Sequence, residues 1–134
     1  MYDRTQSRLL RAMTDIDFLK QEEVIRFILE NAKSDVNTLL LNPPKNYKNR
    51  IHMIADQILA RHKAAGKLDA WMKRKDLVFP PPISVEQASS FTTAAYKKEL
   101  IDGNLLVDLT GGSGVDCLAL SENFDETRYV EQSK

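Results

Sequence analysis

The sequence predicts a mainly α fold: a helical module over residues 1–78, then a β-α-β unit that opens a second domain over residues 79–134. Three observations carry this. Apolar residues recur at three- and four-residue spacing through most of the first hundred positions. The stiff run Phe79-Pro80-Pro81-Pro82, in which each proline fixes its own φ and restrains its predecessor, marks a module boundary. Beyond it the pattern changes to a short apolar run, a glycine-rich turn, a helix-like stretch and a second apolar run.

The elements follow in order. Residues 5–13 carry Leu9, Leu10 and Met13 at helical spacing. Over residues 17–32, Val24, Phe27, Ile28 and Asn31 form one stripe, flanked by Leu19 and Ile25. Ser34 or Asp35 can cap a short helix carrying Val36, Leu39 and Leu40. Asn42-Pro43-Pro44 breaks the chain. A stronger helix spans about 47–65, with Ile51, Ile54, Ala55, Ile58 and Leu59 on its stripe and Gly66 placed as a left-handed cap. Leu68 to Met72 adds a turn that buries Trp71. Ser84 with Gln87 three residues on reads as a capping box opening a helix to about Ile101, closed by Gly103. Leu105-Leu106-Val107-Asp108 reads as a strand, Val115 to Ser121 as a helix, and Arg128-Tyr129-Val130-Glu131 as a second strand.

Composition narrows the function classes. The chain has 134 residues, 43% hydrophobic and 28% charged, as in soluble globular proteins. No apolar run approaches the roughly 20 residues of a membrane helix, so no membrane partner is expected. The N-terminus MYDRTQSRLL lacks a signal-peptide core. Cys117 is the sole cysteine, which excludes an internal disulfide and fits a reducing, cytoplasmic setting. With only two scattered histidines beside it, no zinc site is expected. His52 and His62, ten apart, read as solvated side chains. Net charge is zero, yet residues 45–75 carry nine Lys/Arg against Asp56 and Asp69. Such a stretch can face a polyanion such as RNA, or can be a solvated helix face.

Residues 105–132 carry the chemistry. Glycine lacks a Cβ, so the turn Thr110-Gly111-Gly112-Ser113-Gly114 can be tight and a ligand can approach its backbone. The next helix presents free N–H groups and partial positive charge at its start. Glu131, at the end of the second strand, can accept hydrogen bonds from both ribose hydroxyls. The spacing does not match the dinucleotide fingerprint G-x-G-x-x-G. Asp108, just before the turn, would repel a pyrophosphate but tolerates the ammonium and sulfonium charges of S-adenosyl-L-methionine (SAM). The alternative is a glycine turn in a βα unit that binds nothing.

The segment resembles motif I of the class I, Rossmann-like, SAM-dependent methyltransferases. FPPPISVEQASSFTTAAYKKELIDGNLLVDLTGGSGVDCLAL, with the upstream ADQILARHKAAGKLDAW, is similar to a bacterial methyltransferase group that carries a C-terminal THUMP-like domain. The likeness covers about residues 20–132. That group is more loosely similar to RNA methyltransferases, including trimethylguanosine synthases, and this link is what names RNA as substrate.

The resemblance implies that Asp108 and the backbone of Thr110, Gly111, Gly112 and Gly114 line the methionine end of SAM, and that Glu131 holds the ribose. Gln87, Ser89, Ser90 and Thr93 fall in the segment that closes over the cofactor, or else simply start a capped helix; Asp116 matches the pattern without an assigned contact.

Only 26 residues follow Asp108, whereas a complete core needs roughly 200, the size of one α/β domain. The chain therefore reads as the truncated beginning of such a core, lacking the catalytic loop and inactive alone. Its unpartnered strand edges at 104–108 and 127–131 suggest a homo-oligomer. Asn42-Pro43-Pro44-Lys45 imitates an amino-methyltransferase motif but lacks its aromatic fourth residue, so helix termination is the better reading. The competing function is a helical RNA- or protein-binding module with no methyl transfer.

Overall fold

A computed structural model describes residues 14–131. Its helices are α1 (helical residues 14–19), α2 (Glu22–Glu30), α3 (Val36–Leu41), α4 (Ile51–Ala64), α5 (Asp69–Met72), α6 (Pro82–Gln87), α7 (Phe91–Lys98) and α8 (Val115–Ser121). Strands β1 (Gly103–Asp108) and β2 (Phe124–Tyr129) pair in parallel, Leu105 opposite Glu126 and Asp108 opposite Tyr129, with α8 as the connection between them. The fold is thus mainly α with a small two-stranded parallel sheet. The helix expected over 5–13 lies outside the described residues.

Helix α4 is the centre of the packing. Its first half gives Ile51, Ile54, Ala55 and Ile58 to a core shared with Phe18, Leu19, Val24, Ile28 and Val36. Its second half gives Ala60 and Ala64 to another core, with Leu68, Phe79, Val85, Ala94 and Val115. Burying side chains such as Ile54, Ile58 and Leu68 stabilises the fold by about 1.5–3 kcal/mol each. The second core takes residues from both sides of Phe79.

The Phe79 junction is fastened by polar groups inside the core. Gln57 Nε2 donates to the Phe79 carbonyl (2.9 Å), and the Phe79 N–H donates back to Gln57 Oε1 (2.8 Å). Arg61 is also buried. It donates to the carbonyls of Lys75 and Leu77 and stacks its guanidinium over the Phe79 ring at 4.8 Å. Its burial lowers its pKa.

Several expected boundaries move, each for a physical reason. The single helix expected over 17–32 is two, broken at Lys20-Gln21. At about 100° per residue a continuous helix would put Leu19 and Ile28 on opposite faces; the break lets both reach one core. The helix expected from 47 starts at Ile51, because Lys45–Tyr47 forms a 3-10 turn after the two prolines. Gly66 is left-handed, as expected, with φ 72°, and its N–H donates to Asp69 Oδ1. Trp71 is half-buried, edge-on to Phe79 and Phe91. His62 is not simply solvated; its Nε2 meets the Ala32 carbonyl.

The helix expected from Ser84 to Ile101 is also two. Pro82 supplies a φ suited to the first helical position, so α6 starts before Ser84 and Ser84 caps nothing. Ser90 caps α7 instead, accepting from the Thr93 N–H at 3.1 Å. Strand β2 begins at Phe124, earlier than expected, because Glu126 and Thr127 pair with β1 without an apolar signature.

Candidate functional site

The glycine turn between β1 and α8 is built against the end of β2. Asp108 Oδ1 accepts from the Thr110 N–H at 3.0 Å, folding the chain back as it leaves β1. The Gly111 N–H donates to the Val130 carbonyl (3.1 Å), and the Val130 N–H donates to the Asp108 carbonyl (2.8 Å). The Tyr129 ring lies where a Gly111 side chain would be. A Cβ there would sit 2.0 Å from Tyr129 Cε2, so only glycine fits. The Tyr129 hydroxyl donates to the Gly112 carbonyl at 2.8 Å, and the Gly112 N–H donates to Glu131 Oε2 at 2.6 Å. Gly112 and Gly114 take left-handed φ values of 53° and 79°.

Opposite the turn stands the segment between α6 and α7. Lys67, from the loop after α4, donates through Nζ to the carbonyls of Val85 and Glu86 and so caps α6 from outside. Lys63 pairs with Glu86 beside it. Ser89, Lys97 and Asp116 form a closed network. Ser89 Oγ donates to Asp116 Oδ2 (2.8 Å), and Lys97 Nζ donates to Ser89 Oγ (3.0 Å) and Asp116 Oδ2 (2.8 Å). The network ties this segment to the first turn of α8.

Between the two walls lies a cleft of about 850 Å³, within the size range of small-molecule sites. Its lining mixes polar groups with the apolar side chains of Leu106, Val107, Val115 and Leu120. Its charged lining is Asp108, Asp116 and Glu131 against Lys97, a net −2 that favours a cationic ligand over a pyrophosphate. Gly112 lines it with only the Thr110 carbonyl oxygen near its missing Cβ, at 3.6 Å, leaving room for close approach to the backbone. Behind the turn, burial and the Asp108 carboxylate push the Cys117 thiol up in pKa. Burial and nearby Glu131 and Asp108 likewise raise the Tyr129 phenol.

Of the residues singled out in the sequence, Gln87, Ser89, Asp108, Thr110, Gly111, Gly112 and Glu131 line this cleft. Ser90, Thr93 and Gly114 do not. Ser90 and Thr93 serve each other in the α7 cap, and Gly114 is the left-handed residue before α8. Glu131 lies beyond the end of β2 and holds the turn. Lys97 escaped the sequence reading. Nothing local marks it, since its partners lie 8 and 19 residues away. Asn42 to Lys45 are not among the residues that line the cleft.

The basic stretch is partly consumed by the fold. Arg61 and Lys67 bind backbone carbonyls, Arg50 covers the Phe18 ring, and Lys63 and Arg74 pair with Glu86 and Asp76. Lys45, Lys48, Lys73 and Lys75 are exposed. Among the described residues no helix is long and apolar enough to cross a membrane.

The chain is therefore a helical unit leading into a parallel β-α-β element with a ligand-sized cleft at the end of its first strand. No protein-family model matches it, and no curated protein matches it. It is similar to the crystal structure of a proposed methyltransferase from Porphyromonas gingivalis W83, at 31% identity and TM-score 0.63. The match covers 84% of this chain and 28% of that one, so the chain spans under a third of that protein's length. The likeness supports a methyltransferase relationship.

Proposed function

We propose that this chain is the cofactor-binding beginning of a class I, Rossmann-like, SAM-dependent methyltransferase that acts on RNA in the cytoplasm, and that these 134 residues transfer no methyl group alone. The observation that carries this is the cleft after β1, lined by three carboxylates and one ammonium. A pyrophosphate ligand would meet repulsion there; a sulfonium-bearing nucleoside meets attraction. The likeness to the Porphyromonas gingivalis protein supports the same reading.

In this reading Asp108 faces the ligand's ammonium, and the Thr110–Gly112 backbone lies along its amino-acid arm. Glu131 offers Oε1 to the ribose hydroxyls while Oε2 keeps the Gly112 N–H. Gln87 and Ser89 form the opposite wall and exclude water. SAM supplies a methyl group already activated by sulfonium, so the protein's work is alignment with a nucleophile, here a nucleobase nitrogen. Exposed Lys45, Lys48, Lys73 and Lys75 offer phosphate contacts to the RNA. A homo-oligomer forms through the free sheet edges at 104–108 and 127–131, where Leu105 is exposed.

Calorimetric titration of the full-length protein with SAM tests the proposal. Binding by wild type and its loss in Asp108→Ala are expected. Absence of binding, or an unaffected Asp108→Ala, overturns the cofactor assignment. One observation favours a competing reading: the amides of Thr110, Gly111 and Gly112 are satisfied without any ligand. A helical RNA- or protein-binding module would then remain. RNA affinity that falls steeply with salt and survives Asp108→Ala, without SAM binding, identifies it.

A further inference from the structure

Every amide of the turn that the sequence offers to the ligand's methionine end already has an acceptor within the fold. Thr110 donates to Asp108, Gly111 to the Val130 carbonyl and Gly112 to Glu131. An amino-acid-bearing ligand brings a carboxylate as well as an ammonium, and the carboxylate needs a donor. Among the charged groups lining the cleft, one is a cation, Lys97. An ammonium has three N–H donors. Ser89 Oγ and Asp116 Oδ2 accept two of them, at 3.0 and 2.8 Å, which leaves the third for a ligand.

We propose that Lys97 is the anchor for the ligand's α-carboxylate, a specificity-determining contact that distinguishes an amino-acid-bearing nucleoside from a bare one. The proposal rests on the SAM reading of the cleft. Asp116 and Ser89 are positioning residues: two fixed acceptors hold the end of a flexible four-carbon side chain, which cuts the entropy lost on binding. The side chain of Lys97 is 43% exposed, open enough for a ligand to reach it.

The test uses the full-length protein, with SAM and decarboxylated SAM, which lacks only the α-carboxylate, as probes. Wild type is expected to prefer SAM by about tenfold to a hundredfold, the range of a hydrogen bond between charged groups. Lys97→Met should erase that preference while keeping its affinity for decarboxylated SAM within about twofold, a span under 0.5 kcal/mol and within ordinary surface effects. That retained affinity also shows that the variant is folded. Lys97→Arg should restore most of the preference. Equal weakening of both ligands by Lys97→Met, or no change in either, overturns the anchor while leaving the cleft assignment standing. Failure of wild type to bind either compound overturns both.

Discussion

Replacing Gln57 with leucine isolates the energetics of the Phe79 junction. Gln57 is 6% exposed and makes two hydrogen bonds to Phe79, at 2.9 and 2.8 Å. Leucine has nearly the same volume but can neither donate nor accept. The Phe79 N–H and carbonyl would then be buried without partners, each at a cost of about 1–3 kcal/mol. The added apolar burial offsets part of this, so a net loss of about 2–4 kcal/mol is expected. That is a large share of the roughly 5–15 kcal/mol that holds a domain together. Urea unfolding followed by far-UV circular dichroism and Trp71 fluorescence measures it. A loss under about 0.5 kcal/mol, the ordinary effect of a surface change, refutes the reasoning, since Phe79 must then find other partners. Gln57→Glu adds a check with a defined sign. A buried carboxyl favours its neutral form, which can still donate to the Phe79 carbonyl. Stability of that variant should be present at low pH and lost as pH rises through its raised folded pKa.

Three further outcomes follow from the described geometry. Gly111→Ala should drive the Tyr129 ring from its 2.0 Å overlap and break the hydroxyl contact with Gly112, destabilising the protein by about 1–3 kcal/mol; unchanged thermal melting would contradict it. The Thr38 hydroxyl, then the Asn37 N–H, hold the Asp35 carboxyl below its ordinary 3.8. Its capping contribution should therefore be intact above pH 3.8 and fade as pH falls through the depressed folded value; Asp35→Asn should remove that part of the acid sensitivity in melts. Cys117, buried and beside the Asp108 carboxylate, should react slowly with disulfide reagents at neutral pH and fast in denaturant; equal rates in both would deny its burial.

The sequence made some of this architecture legible and hid the rest for identifiable reasons. Helix α8 and the strand ending at Asp108 stood out because Thr110 to Gly114 punctuates the chain so sharply. A cap at Ser34 or Asp35 was visible because capping is local, and Asp35 takes the role. Periodicity could not show the break at Lys20-Gln21. Leu19 stood only on the flank of the Val24 stripe, and it is the shared core that brings the two together. The start of β2 was invisible because Glu126 and Thr127 pair through backbone and bury little. In the site, Asp108 and Gly111 announced themselves through spacing. Lys97 did not, because its meaning comes from Asp116 across the fold. Ser90 and Thr93 carried polar groups that proved to serve α7 itself.

Helix α4 has its first turns in one core and its last turns in the other. A single rod threaded through two oily compartments cannot melt at one end alone without baring the other. The helical half and the cleft-bearing half should therefore come apart together, and loss of helix should coincide with the change in Trp71 emission. Two separated transitions would mean that the rod snaps between Ile58 and Ala60. Damage far from the glycine turn would otherwise reach it by this shared spine.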